Sequence, residues 1–211
     1  MRDRQAFPNP RCLLKARRLA TIAGALALVA LLAVGLIQLA TRSQGSDAPK
    51  VRLTVAQMQA QLTTSPAPLA ALHAQASELL GGGRRALHAR LTALRGWPIV
   101  INKWASWCEP CKAEFGAFQR VSLNLGRRVA FLGIDSGDSA RGEPLNFLRS
   151  FPLSYPSYYD ASGQLGVEAT DSRNTPVTVF YNRAGEKYTR QGAYPSAAKL
   201  EYDVEHYALG A

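Results

Sequence analysis

The run Ile99-Val100-Ile101-Asn102-Lys103-Trp104, followed almost at once by Trp107-Cys108-Glu109-Pro110-Cys111, constrains the fold more than any other part of the chain. A short apolar run of this kind suits a central strand covered on both faces. From Glu109 to about Leu125 the apolar positions Cys111, Phe115, Phe118, Val121 and Leu125 recur at three- and four-residue steps. The spacing predicts a helix whose buried stripe starts at Cys111 and whose N-terminus carries Cys108.

The rest of the chain extends this unit. Residues 129–134 read as a second buried strand and 142–151 as a crossover helix, which implies a right-handed βαβ unit. Residues 155–167 hold a short extended piece, a turn at Asp160-Ala161-Ser162-Gly163 and one helical turn. Residues 176–181, the turn Asn182-Arg183-Ala184-Gly185 and residues 186–191 read as a hairpin. Ser196 can cap a last helix to about Ala208, with Lys199, Asp203 and Glu205 assigned to its wet face. Upstream, 54–80 reads as helical, interrupted by Pro66 and Pro68 and stopped by Gly81-Gly82-Gly83, and 86–94 as helical again. The three glycines beside Arg84-Arg85 lack the Lys-Ser/Thr of a phosphate loop. The expected class is α/β: βαβ plus ββα around a mixed central sheet, with extra N-terminal helices.

Charge is unevenly placed. The formal net charge is +10, and residues 1–50 carry eight Lys/Arg against two Asp/Glu. Much of that excess flanks residues 19–41, 23 residues without a charge between Arg18 and Arg42. Such a run is long enough for a helix to span a bilayer core of roughly 30 Å. By the positive-inside rule, 1–18 would be a cytoplasmic basic N-terminus, 19–41 a transmembrane signal-anchor and 42–50 a linker. Residues 51–211 would then be an extracytoplasmic domain, with 51–95 as its helical extension. A cleaved signal peptide competes with this reading, although its apolar region usually runs only about 7–15 residues. Arg17-Arg18 lacks the surroundings of a fuller twin-arginine signal. Cys12 would lie across the membrane from Cys108 and Cys111, and no role is assigned to it.

The chemistry follows from residue type and position. Free cysteine titrates near pKa ~8.5, and a thiol at a helix N-terminus faces unpaired N–H groups and the positive end of the helix dipole, which stabilise thiolate. Cys108 is therefore the expected nucleophile. Cys111, one turn later on the buried stripe, is the expected resolving thiol. Pro110 suits the first helical turn, because it lacks an N–H and its φ is preset. Glu109 sets a negative charge between the cysteines, opposing the dipole.

These residues carry a resemblance. Trp107-Cys108-Glu109-Pro110-Cys111 followed by Lys112-Ala113-Glu114-Phe115 resembles the membrane-tethered ResA/TlpA branch of the thioredoxin superfamily, extracytoplasmic thiol–disulfide oxidoreductases. It covers about residues 86–209 and is densest at 99–115 and 175–180. The resemblance implies a thioredoxin-like fold, a redox-active Cys108–Cys111 pair with no other cofactor, and proton handling by Glu114. A carboxylate on the solvated flank of the helix is the competing reading of Glu114. Asn102, six residues before Cys108, stands where cytoplasmic thioredoxins have a buried acid, a departure that matches the ResA/TlpA branch. Trp107, Glu109, Pro110, Thr175 and Pro176 become expected substrate-binding residues, with Thr175-Pro176 expected cis and opposite the cysteines, and Trp104 in the core. The branch also implies a reductant of protein disulfides, with apocytochrome c as a candidate substrate and a transmembrane protein as electron donor. No nucleic-acid partner is expected.

Other chemistries fit less well. Structural zinc needs four ligands, the Cys-x-x-Cys pair supplies two, and His73, His88 and His206 show no ligand spacing. Haem attachment needs His directly after the second cysteine, where Lys112 stands. A purely structural disulfide across three residues would close too small a loop to restrict the unfolded chain much. An exported oxidant or isomerase, a thiol peroxidase and a redox-inactive binding domain complete the alternatives.

Overall fold

The computed structural model describes residues 53–211. The basic N-terminus, the uncharged run 19–41 and the linker expected from the sequence lie outside the described residues. Among the described residues, no helix is long and apolar enough to cross a membrane.

Two short helices come first, α1 (Val55–Gln61) and α2 (Ala67–His73). Thr54 and Gln57 close a capping box at the start of α1, so two otherwise unpaired N–H groups are satisfied reciprocally. Leu79 and Leu80 depart from the expected helix. They form β1 (Leu79–Leu80), a two-residue strand parallel to Ser157 and Tyr158. Helical spacing cannot distinguish two leucines that complete a helix from two that extend a sheet edge; the partner strand decides. Gly82 and Gly83 then open α3 (Gly83–Ala93) instead of stopping a helix, with φ of 91° and 55°. Only glycine adopts such backbone at low cost.

The sheet is completed by β2 (Ile99–Trp104), β3 (Ala130–Ser136), β4 (Ser157–Asp160), β5 (Val177–Tyr181) and β6 (Lys187–Gln191). Its order is β1-β4-β3-β2-β5-β6. The first four strands run parallel, and β5 and β6 add antiparallel on the far side. The remaining helices are α4 (Glu109–Leu125), α5 (Gly142–Ser150), α6 (Gln164–Thr170) and α7 (Ala197–Asp203), the last running into a π-helical segment over Val204–Leu209. The units β2-α4-β3 and β5-β6-α7 share one mixed sheet, which is the thioredoxin-like arrangement.

Strand β2 is buried at every position, and its side chains alternate between two cores. Ile99 and Ile101 pack with Leu69, Leu72, Leu87 and Leu94 on one face. Val100 and Trp104 pack with Phe115, Phe118, Val121 and Leu125 of α4 on the other. Full burial of each such side chain contributes about 1.5–3 kcal/mol, so the apolar stripe of α4 is anchored along its whole length. That anchoring holds the N-terminus of α4 at the end of β2. One expectation fails at the C-terminus: Asp203 is buried, because the Tyr194 hydroxyl and the Lys199 ammonium both reach its carboxylate and compensate its lost hydration.

Candidate active site

The turn from β2 into α4 is held from both sides. Trp104 is buried, donates its Nε1–H to Ser157 Oγ at 3.2 Å, and meets Phe115 edge-on with ring centroids 5.0 Å apart. The Ser106 N–H and hydroxyl donate to the two carboxylate oxygens of Asp138 at 2.7 and 2.6 Å. Trp107 is 59% exposed, yet its Nε1–H donates to the Gly137 carbonyl at 3.3 Å. The loop after β3 thus clamps the two residues that precede Cys108.

Cys108 is the N-cap of α4 and is joined to Cys111 by a disulfide. Its Sγ accepts the Cys111 N–H at 3.3 Å, the position a thiolate would use to collect the first free amides of the helix. Cys111 is fully buried, and Cys108 is only slightly exposed. Pro110 lies in the first turn of the helix, and Glu109 turns outward to Lys112 at 2.5 Å. The Glu109 charge is therefore shared with an exposed ammonium instead of being directed at the sulfurs. Across the site, the Thr175 carbonyl oxygen lies 3.8 Å from Cys108 Sγ, and the Thr175–Pro176 peptide is cis. The distant residues 175 and 176 are thus brought against the cysteines.

Glu114 is buried, not on a solvated flank. Its Oε1 accepts from Asn102 Nδ2 at 2.8 Å and its Oε2 from the Tyr194 N–H at 2.9 Å. Burial pushes its carboxyl from 4.5 up to about 7, against the pull of those two hydrogen bonds and of the Arg190 charge. A group titrating there exchanges protons readily at neutral pH.

A second set of ionisable groups was not visible in the sequence. No donor reaches either oxygen of buried Asp135. Burial, then Asp138 and Asp160, raise the Asp135 carboxyl to about 9. In its neutral form it becomes a donor with Asp138 as its acceptor. Asp138 is itself held below the usual range: burial raises it, but hydrogen bonds from Asp135 and from the Ser106 hydroxyl and N–H outweigh that effect. Lys103, also buried, donates from Nζ to the Ser172 carbonyl at 2.8 Å, and desolvation lowers its pKa despite the nearby Asp160 charge. Lys103, Trp107 and Thr175 line a cleft of about 570 Å³ beside the cysteines. These residues come from strands and loops with no shared spacing: Lys103 and Asp135 stand in β2 and β3, whereas Asp138, Ser172 and Thr175 lie in loops. Among the described residues, no cluster of His, Cys, Asp and Glu could hold a metal ion.

Comparison with known proteins finds relatives by sequence. No family model matches the chain. The thiol–disulfide oxidoreductase ResA of Bacillus subtilis is 29% identical over 97 residues, 46% of this chain and 53% of that protein. The thiol:disulfide interchange protein DsbE of Tatumella citrea is 27% identical over 144 residues, 68% of this chain and 69% of that protein. The match spans about half the length of the ResA proteins of Bacillus subtilis and Oceanobacillus iheyensis. A secreted Mycobacterium tuberculosis disulfide oxidoreductase, described as homologous to Escherichia coli DsbE, superposes on 54% of this chain and 84% of its own, with a TM-score of 0.49 and 26% identity. The chain is similar in sequence to the ResA/DsbE-like thiol–disulfide oxidoreductases of the thioredoxin superfamily.

Proposed function

We propose that the protein is a membrane-tethered, extracytoplasmic thiol–disulfide oxidoreductase that reduces disulfides in protein substrates through Cys108 and Cys111. The observation that carries this reading is the Cys108–Cys111 disulfide at the N-terminus of α4, with Cys108 Sγ facing the Cys111 N–H and the Thr175 carbonyl. The tether is the uncharged run 19–41, and the basic residues before it favour a cytoplasmic N-terminus.

In the reducing direction, the Cys108 thiolate attacks one sulfur of a substrate disulfide. A mixed disulfide forms, and the other substrate sulfur leaves as thiolate and takes a proton. Cys111, deprotonated, then attacks Cys108 Sγ and releases the second substrate thiolate. Two electrons pass to the substrate, and the disulfide of the resting protein is regenerated. Glu114, one helical turn from Cys111 and titrating near neutrality, is the base that takes the Cys111 proton. Trp107 and the Thr175-Pro176 segment form the surface on which a substrate chain lies, and Glu109 and Pro110 shape its edge.

Each turnover consumes a dithiol, so a transmembrane protein must deliver electrons from the cytoplasmic side. By resemblance, apocytochrome c is the proposed substrate. Equilibrium redox titration of the detergent-solubilised full chain tests the direction. A potential well below about −200 mV is expected of a reductant, whereas one near −120 mV would make the protein an oxidant.

A further inference from the structure

The Tyr194 N–H that reaches Glu114 belongs to a turn with no side-chain anchor of its own before Tyr194, since residues 192 and 193 are Gly and Ala. Arg190, at the end of β6, supplies the anchor. Its Nη1 donates to the Gly192 carbonyl at 2.8 Å and to the Ala193 carbonyl at 3.4 Å, and Nη2 lies 3.5 Å from the same Ala193 oxygen. Its Cζ stands 4.0 Å from the Tyr194 ring centroid. Its Nε is 3.6 Å from Asp203 Oδ2, the oxygen that accepts the Tyr194 hydroxyl at 3.0 Å. The other Asp203 oxygen accepts from Lys199 Nζ at 2.7 Å. One planar guanidinium therefore touches three consecutive residues and is itself held by a buried carboxylate. A lysine in this place would bring the charge without the fork that spans two carbonyls.

We propose that Arg190 is the positioning residue for Glu114, bracing the 192–194 turn so that the Tyr194 N–H stays aimed at the Glu114 carboxylate. The consequence for thiol exchange rests on Cys108 and Cys111 acting as the reacting pair; the brace itself does not. Two effects act in the same direction. The fork holds the N–H that stabilises the ionised carboxylate, and the Arg190 charge favours the same form. The other groups that bear on Glu114 are Asn102 on β2, the Tyr155 phenol ahead of β4, the Tyr194 phenol paired with Asp203, and Cys111 on its own helix when reduced.

The test follows Glu114 directly in the oxidised full chain in detergent, where the cysteines do not titrate. Its protonation is read by infrared absorption of the neutral carboxyl, with the band identified as the one missing in Glu114→Gln. Arg190→Gln should raise the midpoint by about one pH unit, the scale expected when one charged partner and one aligned donor are weakened. Arg190→Lys should leave the midpoint above that of the parent protein, because charge returns without the fork. An unchanged midpoint in Arg190→Gln overturns the proposal. So does an Arg190→Lys midpoint equal to the parent's, which would mean that charge alone suffices. If Arg190→Gln does not fold, the Lys variant decides by the same criterion. Disulfide reduction by the parent protein is measured separately. Its absence would remove the oxidoreductase reading while the titration still judged the brace, and an unchanged titration would remove the brace while activity persisted.

Discussion

Glu114 on α4 accepts the backbone N–H of Tyr194 at 2.9 Å, joining the helix that carries both cysteines to a turn 80 residues further along the chain. The contact places a carboxyl that titrates near neutrality one helical turn from Cys111. Burial of that carboxyl, which outweighs the pull of this hydrogen bond, makes stability depend on pH in a way that single variants can read.

Folding raises the Glu114 carboxyl from 4.5 to about 7, so the folded protein binds a proton there that the unfolded chain has released. Stability therefore falls as pH rises through that window. Glu114→Gln should flatten the fall between about pH 4.5 and 7, by on the order of 2–3 kcal/mol, in denaturant unfolding of the oxidised protein. An equal slope in the variant would mean that Glu114 is ionised throughout.

Asp135 has the same sign over a wider range, from 3.8 to about 9. Little of the Glu114 contribution remains to be lost above pH 7, so most of the further fall between pH 7 and 9 belongs to Asp135. Asp135→Asn keeps a neutral donor facing Asp138 and should remove about 2 kcal/mol of that alkaline loss. Thermal or denaturant midpoints at the two pH values check this.

Asp138 accepts both the N–H and the hydroxyl of Ser106, two residues before Cys108. Asp138→Ala leaves those donors and neutral Asp135 without their acceptor and should cost about 2–3 kcal/mol. Ser106→Ala removes one bond of the pair and should cost about 1 kcal/mol. Hydrogen exchange at the Ser106 amide should accelerate in the first variant and change little in the second.

Cys108 is slightly exposed and Cys111 fully buried, so only the first can meet a protein disulfide. Cys111→Ser should accumulate a mixed disulfide through Cys108 when given a disulfide-bonded protein such as insulin, and should lose turnover. Cys108→Ser should form no such adduct. Mass spectrometry of the non-reduced reaction distinguishes the two. A Cys111 adduct in the second variant would reverse the assigned roles.

Much of the site was legible because it is local. Cys108 and Cys111 lie within one helical turn, and their order relative to a buried strand and an amphipathic stripe follows from residues 99–125 alone. Trp104 belonged to the apolar run and is buried, whereas Trp107 lay beyond it and is exposed. What escaped was the set of contacts between distant segments. Lys103 sits inside an apolar strand, yet only the fold reveals that the Ser172 carbonyl satisfies its ammonium. Asp203 carried the pattern of a wet helix face, but two donors, one from Tyr194 and one from Lys199, made its burial tolerable.

The sequence by itself determined the periodicities, and through them the strand, the helix and the placement of the two cysteines at their junction. Periodicity is a property of neighbouring residues, so it survives being read without a fold. Whether Leu79 and Leu80 extended a helix or a sheet, whether Glu114 faced water or the core, and which carboxyl would stay protonated were decided only by tertiary structure. Each of those outcomes depends on desolvation and on a partner from a distant segment. Neither acts on the residues until the chain has brought them together.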